Sequence, residues 1–137
     1  MSKLYMGFDA GTQSVKVAVY DEQFNCLTSH SLPTHLHYPQ PGWVEMSADE
    51  FLEITVKSMA ACAQSLREMG RDPKDVCAVM GDGIICGIVG VNPDGDAVTP
   101  YINYLDSRTT PDVEALNARE LEIWGRETGN PCLLYTS

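Results

Sequence analysis

The chain has 137 residues, 44% of them hydrophobic, which suits a packed core and not a disordered tail. Nine basic against nineteen acidic residues leave a formal charge of −10. That balance speaks against binding to nucleic acid or to anionic lipid, because both need clustered Lys and Arg. No apolar run approaches the ~20 residues of a membrane span, and Met1 to Tyr5 lacks the apolar stretch of a signal peptide. The expectation is an acidic cytoplasmic protein that meets neither nucleic acid nor membrane.

The first thirty residues predict strands. Leu4 to Phe8 is a short apolar run that ends at the small, polar turn Asp9-Ala10-Gly11-Thr12-Gln13-Ser14. Val15, Val17 and Val19 then alternate with Lys16, Ala18 and Tyr20, the period of a strand with one buried face. Asp21-Glu22-Gln23 makes a turn and Phe24 to Leu32 resumes an extended pattern. The expected arrangement is an antiparallel meander that opens a mixed sheet.

His35 to Met46 reads as a loop, with Pro39, Pro41 and Gly42 around Trp43. His35 and His37 are read as solvated, since no carboxylate or thiol follows them at ligand spacing. Ser47 and Glu50 form a capping box that opens a helix. Leu52, Thr55, Met59, Cys62, Leu66 and Met69 recur along it as one apolar stripe. Gly70 stops the helix and Pro73 prevents its resumption. Val76 to Met80 is expected as a central parallel strand, completing the crossover unit of an α/β domain.

A second glycine-punctuated passage, Gly81 to Gly87, follows. Ile88 to Val91 and Ala97 to Ile102 flank Asn92-Pro93-Asp94-Gly95-Asp96, a hairpin signal. Thr110 is expected to cap a second helix with Pro111 at its first position. Val113, Leu116 and Leu121 continue that helix and Gly125 ends or breaks it. The five cysteines (Cys26, Cys62, Cys77, Cys86 and Cys132) contain no Cys-x-x-Cys pair. They are expected to be reduced and mostly buried, with Cys86 alone in a cleft.

The first turn is the best chemical candidate. A strand ending in Asp-x-Gly-Thr-x-Ser and followed at once by another strand has the form of a phosphate-binding hairpin. Gly11 lets backbone approach a phosphate, and the hydroxyls of Thr12 and Ser14 add donors. Asp9 suits a magnesium ion and Lys16 a phosphate as a point charge. The same residues also make a plain β-turn, and spacing does not separate the two. A Walker sequence, the dinucleotide fingerprint, a Gly-x-Ser-x-Gly elbow and a His-Glu-x-x-His helix are all missing from the sequence.

Met6 to Lys16 resembles the first phosphate motif of the FGGY family of carbohydrate kinases. Four further landmarks follow in that family's order: Pro41-Gly42-Trp43-Val44-Glu45, the Gly83 to Gly87 loop, Tyr104-Leu105-Asp106-Ser107-Arg108-Thr109, and Thr128-Gly129-Asn130-Pro131. The resemblance implies an actin-like, ribonuclease-H-like ATPase fold, of which residues 1–137 would be the incomplete first domain. It implies ATP as co-substrate, Mg²⁺, and a sugar, sugar acid or polyol as acceptor. Asp9 would serve the metal, Gly11, Thr12, Gln13, Ser14 and Lys16 the phosphates, and Ile85, Cys86, Tyr104 and Asp106 the sugar. The general-base aspartate would lie beyond residue 137, so this chain alone is expected to be inactive, and a homodimer of the complete protein stays open. Gly83-Ile84-Ile85-Cys86-Gly87 departs from the polar sugar loops of the family, and Tyr104 stands where the family has Trp. An actin-like nucleotide-binding module or pseudokinase without sugar chemistry is the alternative.

Overall fold

The computed structural model describes residues 3–128. Four strands form one sheet in the order β3-β2-β1-β5: β1 (Leu4–Ala10), β2 (Ser14–Tyr20), β3 (Cys26–Pro33) and β5 (Val76–Gly83). The β1–β2 and β2–β3 pairs are antiparallel and β1–β5 is parallel. The mixed sheet with an antiparallel opening is therefore present. A second, two-stranded sheet pairs β4 (Glu45–Met46) with β6 (Tyr101–Ile102).

One face of the large sheet packs on α1 (Ala48–Glu68). Leu4, Val15, Val17 and Val19 are shut away from solvent there, with Met6 and Ala10 beside them. Burial of each such large aliphatic side chain contributes roughly 1.5–3 kcal/mol. Ser47 Oγ accepts the Glu50 N–H at 3.2 Å, so the cap falls at the expected residue. At the other end Gly70 has φ +72°, and its N–H and that of Arg71 close back on the carbonyls of Arg67 and Leu66. That left-handed turn is why the helix stops here.

The buried stripe of α1 differs from the expected one. Ile54, Ser58, Cys62 and Leu66 face the sheet, whereas Leu52 is 63% exposed and Met69 49%. The four buried residues lie one above the other at i, i+4 steps. Ser58 escapes a count of apolar residues, although it is fully buried on this face. Its Oγ has no hydrogen-bond partner among the described residues.

β5 is parallel, as expected, but is an edge strand among the described residues and runs on to Gly83. Val79 and Met80 are accordingly exposed. The hairpin over 88–102 is reduced to single bridges, Ile88 to Ile102 and Val91 to Ala97, around a turn in which Asn92 Oδ1 accepts the Asp94 and Asp96 N–H groups. Helix α2 spans Thr110–Thr128, so Thr110 is its first residue and not its cap, and Gly125 does not break it. Residues 129–131 of the Thr-Gly-x-Pro motif lie outside the described residues, as does Cys132. Of the other four cysteines only Cys62 is buried, correcting the expectation of mostly buried thiols. Cys77 is exposed because it sits on the edge strand. Among the described residues no helix is long and apolar enough to cross a membrane.

Candidate active site

Three separated stretches of chain meet at the carboxyl ends of β1 and β5. The first is the tight turn from β1 to β2. Gly11 donates its N–H to Ser14 O at 3.0 Å, and a Cβ on Gly11 would press against that oxygen at 3.1 Å. Thr34, immediately after β3, holds the turn from behind. Its Oγ1 donates to Thr12 O at 2.6 Å and its N–H to Gln13 O at 3.1 Å. The carbonyls are thereby occupied, while the Thr12 and Gln13 amides donate to no acceptor among the described residues. Successive amides left open at such a turn are what an anion needs.

Asp9 stands in register between Lys16 on β2 and Asp82 on β5. Directly paired residues share a sheet face, so all three lie opposite α1. Lys16 Nζ is 3.9 Å from Asp9 Oδ2 with both side chains largely exposed, a pair of little energetic weight. The Asp82 carboxylate accepts the Gly83 N–H at 2.8 Å and so begins the following turn.

The second stretch is that turn itself, from Gly83 to Gly87. Cys86 adopts φ +64°, a left-handed conformation rarely taken by a residue with a Cβ. Gly87 admits the Tyr101 ring, which occupies the space a Cβ would fill. Burial pushes the Tyr101 phenol upward in pKa, with Cys86 and Tyr104 nearby adding to the effect.

The third stretch is 103–108, clamped to the loop around Trp43. Asn103 donates its N–H to Val44 O at 3.0 Å, and Ser107 its N–H to Gly42 O at 2.8 Å. Asp106 is buried. One of its oxygens accepts from Arg108 N and Nε, the other from Val44 N–H at 2.7 Å and from Arg108 Nη2 at 2.7 Å. These donors, Arg108 foremost, hold the Asp106 carboxyl at about 2 against desolvation that pushes the other way. Arg108 also reaches Glu45 at 2.6 Å and lies over the Trp43 ring. Trp43, Glu45 and Arg108 are thus structural partners of one another.

Between these stretches lies an open cleft of about 550 Å³ lined by Asp9, Gly11 and Thr12 on one side and Gly83, Ile84, Ile85, Cys86 and Tyr104 on the other. Six of the ten residues singled out in the sequence line it. Gln13, Ser14, Lys16 and Asp106 do not line it. Lys16 borders a second hollow, with Asp9, Tyr20 and Ser31, on the uncovered face of the sheet. Asp106 is instead committed to Val44 and Arg108. Sequence reasoning missed Thr34 and Asn103, because neither belongs to a recognisable pattern.

The N-terminal-domain profile of the FGGY family of carbohydrate kinases matches residues 4–137. This chain belongs to that family. Among the relatives of this FGGY chain, a glycerol kinase from Geobacter sp. (strain M21) is 30% identical over 126 residues, covering 89% of the chain and 24% of that protein. Two solved structures share its fold. A gluconate kinase from Lactobacillus acidophilus superposes with a TM-score of 0.83 at 21% identity, over 95% of this chain and 25% of that one. A Plasmodium falciparum glycerol kinase with ADP gives 0.79 at 22% identity, over 99% and 27%. The fold is the actin-like ATPase fold that these sugar kinases carry. The FGGY chain described here spans about a quarter of the length of the relatives it matches.

Proposed function

We propose that the complete protein transfers the γ-phosphoryl group of ATP to a hydroxyl of a sugar, sugar acid or polyol, and that residues 1–137 supply its phosphate hairpin and one wall of the acceptor site. The observation that carries this reading is the single cleft shared by Asp9, Gly11 and Thr12 with Ile85, Cys86 and Tyr104. A phosphate held at the hairpin and an acceptor held at the opposite wall would face each other across it. Phosphoryl transfer depends chiefly on such positioning and on charge neutralisation.

In this reading the Thr12 and Gln13 amides and the hydroxyls of Thr12 and Ser14 hold phosphate oxygens, with Lys16 as a nearby positive charge. The Plasmodium falciparum glycerol kinase of like fold was crystallised with ADP, which supports an adenine nucleotide as the donor. Asp9 and Asp82 offer hard oxygen ligands at the strand ends, a donor set that fits Mg²⁺. No group of three or more His, Cys, Asp or Glu among the described residues is placed to hold a metal alone. Asp9 would therefore share the ion with water and phosphate oxygens, and the ion would supply neutralisation of phosphate charge. Asp106 serves the site by holding the segment that carries Tyr104.

The test is an ATP-consumption assay over a panel of pentuloses, polyols and sugar acids. The complete protein is expected to phosphorylate at least one of them, and residues 1–137 alone none. Turnover by the isolated 137-residue chain well above background, or none by the complete protein, would overturn the reading.

A further inference from the structure

The turn from Gly83 to Gly87 is tied at both ends and untied in the middle. The Gly83 N–H meets the Asp82 carboxylate at 2.8 Å, and Ile88 and Ile102 exchange backbone hydrogen bonds at 3.1 and 2.8 Å. Between these ends the Ile84, Ile85, Cys86 and Gly87 amides donate to no acceptor among the described residues. Cys86 nevertheless holds φ +64°. A residue with a Cβ keeps that left-handed conformation only where its surroundings impose it.

The Tyr101 side chain supplies that constraint. The phenol end of its ring lies over Gly87, in the space that a Cβ there would fill. Tyr101 is itself set on β6 opposite Met46 of β4. The residues that follow it are clamped to the loop around Trp43 by Asn103, Asp106 and Ser107. Tyr101 does not line the cleft, so it can act on a bound molecule only through the turn. Its Oη is buried and has no hydrogen-bond partner among the described residues. The ring therefore holds the turn and the hydroxyl does not, since an unpaired buried hydroxyl adds nothing to the packing. Resting on the kinase reading above, we infer that Tyr101 is a positioning residue for the acceptor. It fixes Gly87, and through Gly87 the left-handed Cys86, so that the open amides of the turn meet the acceptor in one arrangement.

The experiment uses the complete protein and measures three quantities: KM for ATP, KM for an acceptor, and amide hydrogen exchange over residues 83–88. The acceptor is whichever pentulose, polyol or sugar acid of the panel the unmodified protein uses best. Tyr101→Ala is expected to raise acceptor KM about tenfold and ATP KM less than about twofold, since small misplacements of binding groups are costly. Exchange over 83–88 should quicken while that of α1 stays as in the parent. Tyr101→Phe, which keeps the ring, should restore the parent values. Gly87→Ala, which displaces the ring from the other side, should behave like Tyr101→Ala. A parallel rise in both KM values, an unchanged acceptor KM, or a Tyr101→Phe as impaired as Tyr101→Ala overturns the inference and leaves the kinase reading standing. So does unchanged exchange over 83–88. Should Tyr101→Ala fail to fold, Gly87→Ala decides by the same measurements. Phosphorylation of no acceptor by the unmodified protein overturns the kinase reading, and with it the part given to Tyr101.

Discussion

The guanidinium of Arg108 lies 3.8 Å from the centroid of the Trp43 ring, joining two loops 65 positions apart in the chain. The same group bridges the Glu45 and Asp106 carboxylates at 2.6 and 2.7 Å. Ring, fork and two carboxylates make a half-buried junction, and Arg108 is held more firmly protonated by both carboxylates. Through it the segment bearing Tyr104 is fixed beside the cleft. A charge placed between a buried and a half-buried carboxylate is worth most when all its partners stay in place.

Arg108→Ala is therefore expected to destabilise the protein by about 3 kcal/mol, since it strands the Asp106 carboxylate without its main partner. Arg108→Lys should recover less than half of this, because an ammonium cannot serve two carboxylates and a ring face at once. Urea unfolding of the three proteins measures both. Equal stability of Arg108→Lys and the parent would show that charge alone suffices.

Acid should attack the same junction. The Asp106 carboxyl is lowered from 3.8 to about 2 by its hydrogen bonds from Arg108 and Val44. A depressed folded-state pKa gives stability that is fully present above the unfolded value and is lost as pH falls through the folded one. The stability of the parent is thus expected to decline between about pH 4 and pH 2. Asp106→Asn should be less stable at neutral pH and flatter across that window. Thermal unfolding at a series of pH values, compared between the two, tests the sign.

Thr34 is expected to matter for phosphate rather than for sugar. Thr34→Val removes the hydroxyl that holds Thr12 O at 2.6 Å. It should cost about 1 kcal/mol of stability and raise KM for ATP severalfold in the complete protein, with little change in KM for the acceptor. Thr34→Ser, which keeps the hydroxyl, should restore most of the loss. A change confined to acceptor KM would place Thr34 on the wrong side of the cleft.

Ser58→Ala should stabilise the protein or leave it unchanged. The Ser58 hydroxyl is fully buried beneath α1 and makes no hydrogen bond among the described residues. Removing an unsatisfied buried hydroxyl relieves about 1 kcal/mol or more of desolvation cost, and alanine also favours the helix. A loss of more than 1 kcal/mol in chemical denaturation would reveal a partner for the hydroxyl.

Gly81→Ala is expected to go the other way. The Phe8 ring of β1 covers Gly81 of β5 in the space that a Cβ would take. The ring must move, at a cost of about 1–3 kcal/mol. Because Asp9 follows Phe8 directly, the shift should also weaken ATP use by the complete protein. Unfolding and steady-state kinetics on the one variant would show whether the two losses travel together.

Local chemistry made much of this protein legible in the sequence. The alternation of Val15, Val17 and Val19, the Ser47–Glu50 cap, the Gly70 stop and the turn after β1 each depend on residues within a few positions of one another. They form as their neighbours dictate. The family motifs likewise identified the hairpin and the two loops that approach it. Tertiary structure alone decided how these pieces combine. Parallel pairing of β1 with β5 brings residues 9–12 to 83–86, across more than seventy positions, and its register depends on contacts with no periodic trace. The buried face of α1 includes the polar Ser58, which a count of apolar residues cannot see. The family resemblance assigns Asp106 to the sugar, whereas folding brings Val44 and Arg108 to its buried carboxylate, which takes the donors within its reach. The acidity of the chain as a whole has a local counterpart in this. Arg108 is spent on carboxylates, so in the proposed reaction neutralising phosphate at the hairpin would fall to backbone amides, Lys16 and a metal at Asp9.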